Sequence, residues 1–584
     1  MRLVAWVKTR EKMIAPLLLA AAGVLWVAAV VWHVLAAGLP LWSPEAMASV
    51  YEFGLGGKSG EPPESTLLAL AGHFGKGGAV LAALYAYFRV IDLSFDRIWL
   101  RFFYRNHVVI VGLGEKASRL ANSLKAQGRR AAVIELNDKH PAVPFVRGGG
   151  VAVVHGDARM ADTLRQASIT RAATLVCLTD SDAANLQVAR AAQQLAAAAG
   201  RAAPLRCIVH VADHSLRQLV SEAPHYRKQD AAFDGHVLDM VDVAARALIA
   251  EWAPDRFAPL HAADAPPLHV LVVGADALAR AIVANLALQA HYATPQRPVV
   301  TLMDPGASLA LVRLTAEYPA LPGLLDLHAE DVALPHLSPS QLLERTGRTL
   351  DGRDSRPPLT LAFVTIERDI DALAAGMHLA RLARGWAARP QVVVCVPPNS
   401  DVMASIGVDS PGESLGFATF DRYSACTAAC LLGEALDREA RERHGAYLAK
   451  IKDSGKPLRT KPTQFPWDEL DEMVKASNRR QVEHEPVKRR ALEQLGHGAA
   501  VLEQLAQAEH RRWMADLLMA GWSAGPAYDW AQRRHNNLMP YTELDEATRE
   551  FDRDVVRKLT RASVVAPAVA TATDPQCEAV VSVA

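Results

Sequence analysis

Cysteine is scarce in this 584-residue chain and never organised: Cys177, Cys207, Cys395, Cys426, Cys430 and Cys577 contain no C-x-x-C pair. Cys177, Cys207 and Cys395 lie in apolar strand-like runs, where a cysteine is most often a small buried hydrophobe. A disulfide frame and a cysteine zinc site are thereby excluded, and a reducing compartment is implied. A surplus of charge is also missing, since lysine plus arginine and aspartate plus glutamate each number 63. No global field draws nucleic acid, and no nucleic-acid partner is expected. The chain is too long for one core, so three or four units are expected.

The amino-terminal 104 residues read as a membrane hairpin. Ile14 to Leu39 contains no Asp, Glu, Lys or Arg. That is long enough to cross a bilayer, and longer than a signal peptide. A second apolar segment, Ser65 to Ile91, contains His73, Lys76 and the glycines Gly75, Gly77 and Gly78. A plain second span over 66–91 is the favoured reading, beside a re-entrant helix (Thr66 to Phe74) followed by a glycine bend and a span from Ala79. A lysine inside a membrane marks a functional position unless it snorkels from a helix end, so Lys76 is the candidate pore residue. Arg2, Lys8, Arg10 and Lys12 precede the first span, and Arg89, Arg97, Arg101 and Arg105 follow the second. Between them stand Glu45, Glu52, Glu61 and Glu64 against Lys58. The positive-inside rule then puts both termini in the cytoplasm and the short loop outside. The expected protein is integral to a membrane, a bacterial inner membrane, with the lipid bilayer as partner.

Residues 105–246 read as a first α/β domain. The apolar run Val108 to Val111 breaks into Gly112-Leu113-Gly114-Glu115-Lys116-Ala117 and then a helical pattern. Gly112 allows the tight turn, Gly114 lets a phosphate approach the backbone, and Ala117 in place of a third glycine lets helix and strand pack closely. The helix start offers N–H groups and a positive dipole end to a pyrophosphate. The next run, Ala131 to Leu136, carries Glu135 at the spacing of a ribose-binding carboxylate. Further strands are expected at Val151 to Val154, Thr174 to Leu178 and Cys207 to Val211, alternating with helices, hence a parallel doubly wound sheet. Asp157 and Asp180 follow two of them, at the ligand-binding edge; for Asp157 a plain turn role weighs equally.

Together, V-V-I-V-G-L-G, the later G-D-A and the T-D-x-D-x-x-N-L turn at Thr179 to Leu186 resemble the RCK (TrkA-N) family, the regulators of potassium conductance. The resemblance covers about Asn106 to Leu219. It implies a cytoplasmic domain that binds a nucleotide or ion, pairs with a second copy and moves a pore. Gly112, Gly114, Glu135, Asp157 and Asp180 are the positions it carries over. The implied cofactor is NAD or another adenine nucleotide, and the implied assembly is a homo-oligomer through the Rossmann-like domains.

The pattern restarts in residues 247–437. Val270 to Val273 leads into Gly274-Ala275-Asp276-Ala277, with further strands at Val299 to Asp304, Leu359 to Ile366 and Val392 to Val396. This is a second Rossmann-like domain and an internal duplication. Asp276 replaces the second glycine, where a carboxylate would repel a pyrophosphate, so a structural or pairing role is expected; Asp304 keeps a minor ribose role.

A charged stretch at 438–465 reads as a linker or connecting helix, and 466–560 as an all-helical unit. Asn478-Arg479, Glu509-His510-Arg511-Arg512-Trp513, Gly521-Trp522 and Leu538-Met539-Pro540-Tyr541 resemble the RyR domain of ryanodine receptors and microbial proteins. Adjacent Glu509 and His510 point about a hundred degrees apart on a helix and do not make a metal pair; no metal site is expected. As ligand contacts, Arg479 and Arg512 offer forked donors and Trp513, Trp522 and Tyr541 offer stacking faces, with Asn478, Glu509 and His510 beside them. Equally weighted is a structural role, with tryptophans in the core and Glu509, His510 and Arg512 joining helices. The tail 561–584 is expected to be disordered.

Three functions follow from this layout. A ligand-gated, ion-channel-like membrane protein or effector comes first, although no T-x-G-Y-G-type filter lies between the spans, which counts against selective potassium conduction. A non-conducting, nucleotide-sensing scaffold is the alternative. A membrane-anchored NAD-dependent oxidoreductase ranks last, because the α/β domains contain no Tyr-x-x-x-Lys pair; no catalytic residues are assigned.

Overall fold

The computed structural model describes residues 100–565, apart from 224–225, 227–231, 263, 348–354, 398–415, 433–434, 454 and 456. The two predicted spans and Lys76 lie outside the described residues. No described helix is long and apolar enough to cross a membrane.

The first sheet is built from β1 (Val108–Val111), β2 (Ala131–Glu135), β3 (Ala152–His155), β4 (Thr174–Cys177), β5 (Leu205–His210) and β6 (Phe233–Leu238), in the order β3-β2-β1-β4-β5-β6. β1 pairs in parallel with β2 and β4, and β2 with β3. Every residue of β1, β2 and β4 is buried. A strand covered on both faces needs an apolar run, and Val108–Val111, Ala131 to Ile134 and Leu175 to Cys177 supply it. β6 is different: its residues alternate between buried and half-buried along F-D-G-H-V-L, as befits an edge.

The second sheet repeats the plan with β7 (His269–Val273), β8 (Val299–Met303), β9 (Asp326–Glu330), β10 (Leu361–Val364), β11 (Gln391–Cys395) and β12 (Ala418–Phe420), ordered β12-β11-β10-β7-β8-β9. All its pairings are parallel. The reversal of direction between β10 and β8, on either side of β7, matches that of β4 and β2 beside β1. The two domains thus share one topology, as the internal repeat predicts.

His269 opens β7 inside this core, fully buried. Its Nδ1 donates to Pro357 O at 2.8 Å and its Nε2 accepts from Thr301 Oγ1 at 2.9 Å. Burial pushes its pKa down to about 4, so the folded protein holds it neutral. The unfolded chain binds the proton at higher pH, so the stability this neutral ring confers is complete above about 6.5 and is lost as the pH falls toward 4. His214 and His291 are held down as well, so the informative comparison is with a variant. His269→Gln is expected to flatten the pH dependence of the urea-unfolding free energy between 7 and 4 by up to roughly 3 kcal/mol. Equal slopes in variant and wild type would contradict this.

The carboxy-terminal region is helical: Glu472–Glu483, Glu485–Leu495, Ala499–Met519 and Glu546–Val565. Two details differ from the sequence expectation. Ser523–Ala524 (β13) and Arg534–His535 (β14) pair in a short sheet, so the unit is not purely helical. The last helix continues to Val565, five residues into the expected tail, because Val556 and Leu559 anchor it in a core with Leu492 and Leu505. The stretch before this region includes the helix Ala435–Asp453, whose Ala440 packs with Trp467, Leu470 and Val474. The same core as Val556 takes in Ala293 of the second α/β domain. Arg490 clasps buried Asp255 with both nitrogens, at 2.7 and 2.8 Å, and Arg511 donates to Tyr292 O at 2.7 Å. The helical region is therefore seated on the second α/β domain.

Candidate functional site

The first domain's glycine turn is open. Gly112 has φ +88°, where an L side chain is strained, and its amide donates to Ile134 O at 2.9 Å. A Cβ there would stand 3.1 Å from Thr179 Cγ2. Gly114 is the N-cap of the helix Glu115–Ala126, with φ −67° and ψ −177°, and among the described residues no side chain caps that helix. A Cβ on Gly114 would meet nothing within 4 Å. Ala117 is fully buried under the first turn, where a larger residue would push the helix off the strand. At the end of β2, Glu135 is 8% exposed, and its Oε1 accepts from the Asn137 amide at 2.9 Å.

The remaining expected contacts differ in character. Asp157 accepts from the Arg159 amide and guanidinium at 2.7–3.0 Å, and that guanidinium holds its carboxyl below the usual range. The turn role weighed for it is thus present in the structure. Asp180 stands exposed in the bend after β4. Two residues were not singled out in the sequence. Arg159 is one, and its position directly after G-D-A was the available signal. His155 is the other; it faces Glu135 across the β2–β3 pair and lies 3.3 Å from Arg147.

The second domain supplies an internal comparison. Gly274 takes the place of Gly112, with φ +118° and its amide donating to Met303 O at 3.0 Å. Asp276 takes the place of Gly114 with nearly the same backbone, φ −69° and ψ −178°. Its carboxylate accepts from the Ala279 amide at 2.8 Å and so occupies the helix start itself. Burial pushes the Asp276 pKa up, while the Ala279 amide and Arg422, 4.0 Å away, oppose that shift. Asp304 corresponds to Glu135 and, like it, accepts from the amide two residues on, that of Gly306 at 2.8 Å. The anion seat of this copy is filled by its own side chain. In the first copy no side chain among the described residues caps that helix start, and an acid stands at the end of the neighbouring strand, so its residues fit a nucleotide.

In the helical region the expected ligand contacts face inward. Arg512 is 2% exposed. It donates to Glu509 at 2.8 and 3.1 Å and to Asp516 at 2.5 Å. Lys488 lies 2.5 Å from Glu509, and Arg480 and Ser477 each donate to Asp516 at 2.8 Å. Burial would raise the Glu509 pKa, but Arg512 and Lys488 outweigh it and hold the carboxyl far below its usual range. Arg479 is paired with Asp437 at 2.6 Å and with Glu472. Both guanidiniums expected to meet a ligand are thus paired with carboxylates beside them. His510 lies between Met539 O, 3.0 Å from Nε2, and Asp552, 3.2 Å from Nδ1. Asn478 donates to Val474 O within its own helix, Trp522 is buried with Nε1 on Met473 Sδ, and Tyr541 is buried. Trp513 alone among these aromatics is half exposed.

Comparison with known proteins agrees with the two patterns. Residues 108–224 match the family model of the TrkA-N domain, and residues 485–566 match that of the RyR domain. Among solved structures the chain is similar to the GsuK channel bound to NAD, at 15% identity and a TM-score of 0.38, over 77% of this chain and 85% of that one. It is also similar to GsuK bound to ADP, at 16% identity and a TM-score of 0.37, over 74% and 99%. For the GsuK RCK domain the values are 14% and 0.35, over 60% and 79%. These whole-chain superpositions are loose, and the assignment rests on the two domain matches. The chain carries a TrkA-N domain at residues 108–224 and an RyR domain at residues 485–566.

Proposed function

We propose that this chain is a ligand-gated membrane protein, channel-like or a membrane effector, whose TrkA-N domain binds NAD or another adenine nucleotide. The uncapped helix start at Gly114 carries this reading, because the second copy shows the same backbone closed by a carboxylate. Gly112, Gly114 and Ala117 would admit the pyrophosphate, and Glu135 would bond the ribose hydroxyls. Asp157 and Asp180 would be lesser contacts. Residues 1–104 would be the membrane hairpin with Lys76 in the pore, and a homo-oligomer would form through the α/β domains. The RyR module would read a second small ligand.

Nucleotide binding then shifts the equilibrium between arrangements of the cytoplasmic domains, and the spans follow. A ligand does this only by its difference in affinity for the two arrangements. The chain's own residues supply binding and orientation; no bond is made or broken.

The test is ion flux from liposomes holding the full-length protein, with and without ADP or NAD. Nucleotide-dependent flux that changes in Lys76→Ala is the expected result. Binding without flux in any condition would leave the scaffold reading, and steady nicotinamide turnover would bring back the oxidoreductase.

A further inference from the structure

The inward pairing of Arg479 and Arg512 leaves the question of where the helical module meets a ligand. A second group of side chains, gathered around β14, answers it. His535 is half exposed and packs edge-on against Trp513 at 5.0 Å and Tyr528 at 5.2 Å between ring centroids. Buried Trp522 lies beneath, 5.8 Å from Tyr528 and 6.3 Å from His535. The Lys461 ammonium sits 5.0 Å from the centre of the Tyr528 ring. Trp513 and Tyr528 are half exposed like His535, whereas a purely structural cluster would bury its rings.

Several polar atoms of this group have no partner among the described residues. The His535 Nδ1 accepts from the Asn537 amide at 3.0 Å, so in the neutral ring Nε2 carries the proton, and Nε2 has no partner among the described residues. Burial, Lys461 and His510 push the His535 pKa down to about 4, so the ring is neutral at physiological pH. The Tyr528 hydroxyl is buried and has no hydrogen-bond partner among the described residues. Lys461 is exposed, and among the described residues no carboxylate pairs with it. Asp529, five residues before Arg534 of β14, accepts from the Gln532 amide at 3.0 Å.

We propose that Trp513, Tyr528 and His535, with Lys461 above them, form the ligand-reading surface of the helical module, and that it takes a planar heteroaromatic ring bearing an anionic group, a nucleotide-like molecule. The rings offer stacking faces, Nε2–H offers one donor, and Lys461 supplies the positive charge. This rests on the proposed reading that the module senses a small ligand, and it replaces the Arg479 and Arg512 contacts with others.

The test is calorimetric titration of the full-length chain in detergent with ADP, and with adenosine as the probe lacking phosphate. Wild type is expected to bind two ADP per chain and Gly114→Asp one. In the Gly114→Asp background, Lys461→Ala is expected to weaken the remaining site about tenfold or more, and adenosine to bind it more weakly than ADP. Lys461 is exposed, so its replacement leaves the fold intact, and His535→Gln gives an independent second variant. A remaining site unchanged in both variants would overturn this location while leaving the module a ligand reader. A Gly114→Asp protein that binds no ADP would overturn both.

Discussion

Replacing Arg512 by alanine is expected to destabilise the helical region by roughly 3–5 kcal/mol, the range for breaking a buried ion pair from one side. The size follows from what stays behind. Glu509 and Asp516, 2% and 4% exposed, lose the guanidinium that answers both. Lys488 and Arg480 each still reach one of these carboxylates, which keeps the loss finite. Arg512→Lys restores the charge but not the fork and should recover only part of the loss. Adding Asp516→Asn to Arg512→Ala should also recover part, because one uncompensated charge is removed. Urea unfolding followed by tryptophan fluorescence measures this, since Trp467, Trp513, Trp522 and Trp530 all lie in this region. A loss below about 1 kcal/mol would put the cluster in the class of solvated surface pairs. The same cluster sets an acid limit. The Glu509 pKa is depressed, so its contribution is complete above the ordinary value of 4.5 and fades as the pH falls below it.

Gly114→Asp is expected to leave the fold intact and reduce nucleotide affinity by about a hundredfold or more. Foldedness is expected because Asp276 already occupies that backbone conformation in the second domain, and a Cβ on Gly114 meets nothing. An N-cap aspartate even stabilises a helix start by a few tenths of a kcal/mol relative to glycine. The binding loss has two sources. A carboxylate on the first-turn amides removes charge-assisted donors, each worth about 1.5–3 kcal/mol, and it repels the phosphate by about 1–4 kcal/mol at contact distance. Either source approaches the roughly 2.7 kcal/mol that a hundredfold requires. Titration of wild type and variant with ADP, alongside their thermal unfolding, separates this from misfolding. Unaltered affinity of the TrkA-N site in a folded variant would show that the phosphate does not sit at this helix start.

Much of this architecture is legible in the linear chain. Strands such as those at Val108 to Val111 and Val270 to Val273 announce themselves because central parallel strands are buried on both faces and need unbroken apolar runs. The glycine turn and Glu135 are legible because local backbone geometry restricts which residues can stand there. Edge strands escape such a reading. β6, β9 and β12 carry polar residues on half-covered faces and are too short or too mixed to stand out.

The linear chain by itself determined the two α/β repeats, the helical module and the glycine turn, since each leaves a local pattern of apolar runs, helical periodicity or turn residues. Only the tertiary structure decided which polar residues face a ligand. In sequence terms Arg512, next to Trp513, is the cation that suggests a ligand contact, and Lys461, in a charged stretch, does not. Folding surrounds Arg512 with carboxylates from its own helix and leaves Lys461 over a half-exposed ring. Burial and partner choice depend on residues distant along the chain, such as Lys488 facing Glu509 and Arg480 facing Asp516, and no local pattern records them.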